Sequence, residues 1–99
     1  MPTSTAVVHT DAALRYAKQL VAHLGHKVPV EDVDGNPNAQ RLVFAYGSGV
    51  VRPEADRLVM EAAADDDESL ARVEDVLTRH LERFGARRAL GVSWQRQES

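Results

Sequence analysis

The stretch that decides the fold runs from Gln40 to Ala63, QRLVFAYGSGVVRPEADRLVMEAA. Its first part alternates, with Leu42, Phe44 and Tyr46 on one face and Val43 and Ala45 on the other, the period-2 signature of a sheet strand. Gly47-Ser48-Gly49 reads as a tight hairpin connection. Val50 and Val51 begin a short strand stopped by Arg52-Pro53, and Arg57 to Ala63 sets Leu58 and Met60 against Val59 and Glu61. An antiparallel meander is the expectation.

Upstream of it, Thr5 to His9 (TAVVH) is β-branched and apolar, and Thr10-Asp11 offers an N-cap and an acidic first turn to a following helix. From Asp11 to Gly25, Ala13, Ala17, Leu20 and Leu24, flanked by Tyr16 and Val21, form a stripe broad enough to bury against a sheet. Gly25 is expected to end that helix as a left-handed cap. Pro29 lacks a ladder donor, so Val28 to Val33 is expected at an edge, before the turn segment Asp34-Gly35-Asn36-Pro37-Asn38.

Downstream, Asp65 to Glu68 places carboxylates where a helix dipole favours them, and Leu70, Val73, Leu77, Leu81 and Phe84 recur at helical spacing. This predicts a second helix over Glu68 to Phe84, closed by Gly85. Leu90, Val92 and Trp94 alternate in a last strand before the polar tail. The order predicts an α+β fold: one antiparallel sheet with two helices on one face, the other face solvated or used for docking.

Ninety-nine residues, 43% of them hydrophobic, suffice for one domain over 1–99 and are too few for two. Twelve Lys and Arg against fifteen Asp and Glu leave a net charge of −3, which offers no general attraction for phosphate backbones or anionic membranes. No apolar run approaches the ~20 residues that cross a bilayer, and MPTSTAVVHT lacks a secretory pattern, so a cytoplasmic location is expected, with no nucleic-acid or membrane partner. The absence of cysteine leaves His, Asp and Glu as the metal ligands available.

Chemistry concentrates on one strip. Tyr16, Gln19, His23 and His26 recur at steps of three, four and three, along one edge of the first helix and its exit. His80 lies three residues after Leu77, on the buried side of the second helix. Were the helices neighbours, His23 and His80 would meet across a groove rimmed by Arg15, Gln19, Arg79 and Arg83, with His23, His26 and His80 as metal ligands. The plainer alternative keeps His23 as a boundary histidine bonded to a carbonyl and His26 as a cation at a helix C-terminus. No catalytic residue is assigned: Ser48 sits in neither a phosphate loop nor a nucleophile elbow, and no serine carries a sign of an activating base. Asp65 to Glu68 lacks the spacing of a calcium loop.

RYAKQLVAHLGHKVPVE (Arg15 to Glu31), the Phe44, Tyr46, Gly47 segment and RHLERF (Arg79 to Phe84) resemble a small bacterial family catalogued as domain of unknown function 2218, over about residues 5 to 95. The resemblance implies a stand-alone domain folded like one repeat of the TATA-box-binding protein, and no established reaction. It also implies a setting in bacterial iron acquisition, beside siderophore-interacting flavin reductases as partners. The chain departs from the family pattern by an extended DGNPN loop at residues 34–38. The leading expectation is therefore an accessory domain binding iron, haem or a ferric siderophore at Arg15, Tyr16, Gln19, His23, His26, Arg79, His80 and Arg83. The alternative is a protein-interaction or oligomerisation module, a homodimer included, that docks through its open sheet face.

Overall fold

The computed structural model describes residues 2–33, 35–84 and 92–97. Along the chain come β1 (Thr3–His9), α1 (Ala13–Leu24), β2 (Val30–Val33), β3 (Asn36–Phe44), β4 (Gly47–Pro53), β5 (Arg57–Ala63), α2 (Asp67–Phe84) and β6 (Trp94–Gln97). All six strands pair antiparallel in the order β2-β3-β4-β5-β1-β6. The fold is α+β, as expected, with the meander β2 to β5 extended by the first and last strands.

Period-2 register explains the layering. Ala6 and Val8 of β1, Leu42 and Phe44 of β3, Val51 of β4, and Leu58, Met60 and Ala62 of β5 share one cluster with Tyr16, Leu20, Leu24, Leu70, Val73, Leu77 and Leu81. Both helices thus bury their stripes on the same sheet face. Each fully buried Leu of this set contributes about 1.5–3 kcal/mol relative to exposure.

The opposite face is largely polar and ion-paired. Glu31 meets Arg41 at 3.7 Å, while Arg52 contacts Glu61 at 2.6 Å and Glu54, which also holds Arg57 at 2.6 Å. The face also carries apolar side chains, with Val7 42% exposed and Val43 and Val50 half-buried.

Several turn expectations are corrected. β3 ends at Phe44 and β4 begins at Gly47, so Ala45-Tyr46 makes the hairpin, and Gly47-Ser48-Gly49 lies in β4. The glycines serve close packing instead. A Cβ on Gly47 would sit 2.5 Å from the Ala63 carbonyl and 2.9 Å from Val73, and one on Gly49 would sit 2.9 Å from Leu77. Tyr46 accordingly leaves the alternation and stacks on Phe44 at 5.4 Å, with the Arg72 guanidinium 4.2 Å over its ring.

Gly25 is right-handed (φ −62, ψ −16), not a left-handed cap; a Cβ there would meet the Val21 carbonyl at 2.6 Å and Val30 at 3.2 Å. At the other end, α1 starts at Ala13 with no acidic residue in its first turn, and the Thr10 hydroxyl accepts the Ala12 N–H at 3.1 Å. The positive φ of Gly35 (+80°) lies in the β2–β3 connection, and Val33 already pairs with Asn36, so no extended 34–38 loop forms. Asp66 caps α2 by accepting the Ser69 N–H at 2.7 Å. Gly85 and Leu90 lie outside the described residues; Val92 packs against the core and the last strand starts at Trp94.

Candidate functional site

Helices α1 and α2 cover the same sheet face and touch each other, and the last turn of α1 and the turn before the last of α2 bring two imidazoles together. The His23 and His80 ring centroids are 5.1 Å apart with planes tilted by 50°. His80 is fixed from behind: its Nδ1–H donates to the Val76 carbonyl, one helical turn earlier, at 2.7 Å. A carbonyl only accepts, so the proton resides on Nδ1 and the lone pair of the neutral ring on Nε2.

The turn after α1 adds to the same place. Lys27 N–H and Val28 N–H both donate to the Leu24 carbonyl, at 2.9 and 3.1 Å, wrapping His26 and Lys27 around the helix end. Arg83 comes from the last turn of α2. His23 is held below its ordinary pKa of 6.5, first by desolvation where the helices meet, then by the positive charges of His80, Lys27, Arg83 and His26. The positive charge around His23 favours its neutral form.

The expected residues divide. His23 and His80 meet, and the charges of His26 and Arg83 reach His23. Tyr16 does not line the groove: it is buried in the core beneath α1. Arg15 and Gln19 line an open depression of about 590 Å³ on the outer side of α1, with Leu14, Lys18 and Ala22. Arg79 is exposed and pairs with Asp75 at 2.8 Å, one turn back on α2. Among the described residues no three His, Asp or Glu side chains converge on one ion position, so the structure presents an imidazole pair, not a three-histidine centre. Lys27 was missed by the sequence reading, although its place just after a helix end marks it as a cation near two C-termini.

Register decides which strand residues the open sheet face carries. Leu42 and Phe44 are buried under the helices, whereas Val43 shares the outer face with Arg41 and its partners. Val92 and Trp94 pack against the core, the Trp94 Nε1–H donating to the Thr78 hydroxyl at 2.7 Å.

Residues 5–95 match the sequence profile described as an uncharacterised protein conserved in bacteria, domain of unknown function 2218. The chain belongs to this family. A solved structure, the NMR structure of PA4090 from Pseudomonas aeruginosa, is similar with a TM-score of 0.78 and 32% identity, covering 96% of each chain. No curated protein matches. For this domain of unknown function 2218 member, no helix among the described residues is long and apolar enough to cross a membrane.

Proposed function

We propose that this chain is a small accessory binding domain that takes a first-row metal centre, iron in the setting the family resemblance implies, through the His23 and His80 imidazoles. The observation that carries the reading is the pair itself, two rings 5.1 Å apart with Nδ1 of His80 anchored on a backbone carbonyl. Metal-bound histidines commonly anchor the second ring nitrogen in this way, which fixes the tautomer and aims the other nitrogen. Two rings sharing one ion at ~2.1 Å metal–nitrogen distance and near-tetrahedral angle have centroids about 5 Å apart, so the observed spacing needs little adjustment.

Two protein ligands leave coordination positions to be filled by the ligand's own donors, as in haem or a ferric siderophore. The cations Lys27 and Arg83 suit carboxylates on such a ligand. The polar, ion-paired outer sheet face gives less support to docking through that face.

Titration of the full chain with nickel(II), ferric citrate and haemin, followed by absorbance and melting temperature, tests the reading. A ligand held only by the folded state at ~100 times its Kd stabilises by about 2.7 kcal/mol. That gain should vanish in both His23→Ala and His80→Ala. Unchanged spectra and melting temperatures with all three ligands would overturn it.

A further inference from the structure

The outer sheet face carries a hollow of about 280 Å³ to which β1, β3, β4, β5 and β6 all contribute. Register builds it. One row crosses the sheet through Thr3, Ala63 and Ser48, directly opposed on β1, β5 and β4, and the next runs through Glu61, Val50 and Arg41 on β5, β4 and β3. Their chain neighbours Ser4, Leu42, Gly49, Val51, Met60 and Ala62 are buried, so by alternation these side chains stand on the face away from the helices. Small side chains thus make a floor, with a carboxylate on one wall and a guanidinium on the other. Directly opposed residues lie about 5 Å apart between Cα atoms, so Glu61 and Arg41 start about 10 Å apart across Val50. Neither charge is used up inside the fold. Arg41 lies 3.7 Å from Glu31, beyond the about 2.7–2.9 Å of a charge-assisted hydrogen bond, and both partners are exposed to solvent. Glu61 gives Oε1 to Arg52 at 2.6 Å, and a carboxylate accepts at both of its oxygens.

We infer that this hollow binds a small zwitterion of amino-acid or dipeptide size, its carboxylate on the Arg41 fork, its ammonium on Glu61 and its body over Val50, with the hydroxyls of Thr3 and Ser48 beside it. The mixed charge decides the class. An anion alone would meet Glu61 and a cation alone would meet Arg41, whereas a zwitterion satisfies both walls at once. The volume, just below the roughly 300–1,000 Å³ of drug-sized sites, suits a molecule of that size. The hollow lies across the sheet from the imidazole pair and depends on no metal.

The test titrates the full-length protein with glycylglycine and γ-aminobutyrate, with acetate, methylamine and glucose as comparisons, and follows backbone amide shifts. Saturable shifts centred on Thr3, Ser48, Val50 and Glu61 are expected with both zwitterions, and binding about tenfold weaker or less with each comparison, which can make at most one of the charged contacts. Arg41→Gln and Glu61→Gln should each weaken zwitterion binding about tenfold, as for loss of one charge-assisted contact. Glu61→Gln also releases Arg52, so Val50→Phe is the second check: it fills the floor with another strand-forming residue and should abolish binding while the circular dichroism spectrum is unchanged. Glu31→Gln, which removes the competitor for Arg41, should tighten binding. Shifts that never saturate, acetate, methylamine or glucose bound as tightly as the zwitterions, or affinities unchanged in both Arg41→Gln and Glu61→Gln would each overturn the inference, and none of these results bears on metal binding at His23 and His80.

Discussion

His23 on α1 and His80 on α2 approach to 5.1 Å between ring centroids, their planes tilted by 50°, and so bring the two helices into contact through their imidazoles. The native pKa of His23 lies below 6.5, through desolvation first and neighbouring positive charge second. An unfolded chain would protonate this ring near 6.5 while the folded one keeps it neutral. Its contribution to stability is therefore complete above about pH 6.5 and is lost as pH falls through the folded value. Proton NMR of the imidazole C2–H should give a midpoint below 6.5, moving upward in His80→Ala. A midpoint at or above 6.5 in the parent protein contradicts this.

Gly47 and Gly49 should tolerate a methyl group unequally. At Gly47 the new Cβ meets the Ala63 carbonyl at 2.5 Å, and a backbone strand cannot yield without disturbing the sheet. At Gly49 it meets the Leu77 Cδ1 at 2.9 Å, the far end of a flexible side chain. Chemical denaturation should show Gly47→Ala costing about 1–3 kcal/mol and Gly49→Ala less, the ordinary range for overpacking being governed by what can move. Equal costs would place the tight contact elsewhere.

The last strand is fastened to α2 on the flank away from α1. Trp94 donates to the Thr78 hydroxyl at 2.7 Å, and Arg96 reaches both carboxylate oxygens of Glu74, at 2.9 and 3.3 Å. Thr78→Val leaves the partly buried indole N–H unpaired, at a cost of about 1–3 kcal/mol. Because Trp94 is the chain's single tryptophan, its emission reports this docking directly. Fluorescence-detected melting should fall for Thr78→Val, and melting followed by circular dichroism should recover in part when Trp94→Phe is added.

Acid should loosen the same clasp. Burial alone would raise the Glu74 carboxyl, but Arg96, aided by the Ser4 hydroxyl, outweighs it and holds Glu74 below its ordinary 4.5. That hydroxyl is buried and reaches no partner in good hydrogen-bond geometry, so Arg96 carries most of the effect. The stabilisation is complete above about 4.5 and is lost as pH falls through the depressed native value. A Glu74→Gln protein should melt lower at neutral pH and show a flatter dependence between pH 5 and 3, read by circular dichroism. An unaltered slope would mean that other carboxylates dominate.

Which parts of this were determined along the chain follows from the range of each signal. Alternation in Arg57 to Ala63 and the 3.6-residue stripe from Leu70 to Leu81 depend on neighbours one turn or one residue away, so both elements stand where their residues placed them. The same periodicity set His23 at the edge of one stripe and His80 at the edge of another. Glycine was the ambiguous letter. Gly25, Gly47 and Gly49 look like turn signals locally, yet at all three the decisive neighbour is an atom from another turn, strand or helix. Tyr16 was likewise assigned to the polar strip and Arg79 to its rim by spacing, whereas burial against the sheet and the nearby Asp75 claimed them.

The amino-acid sequence by itself thus determined the element order, the sheet's buried face and the two histidine-bearing edges, because hydrophobic periodicity is written in consecutive residues. Only the tertiary structure decided that the two edges meet, that Tyr16 turns into the core and that Arg79 turns to Asp75. Those distances depend on how closely two helices can settle on one sheet, and that is set by the packing of glycines and leucines far apart in the chain.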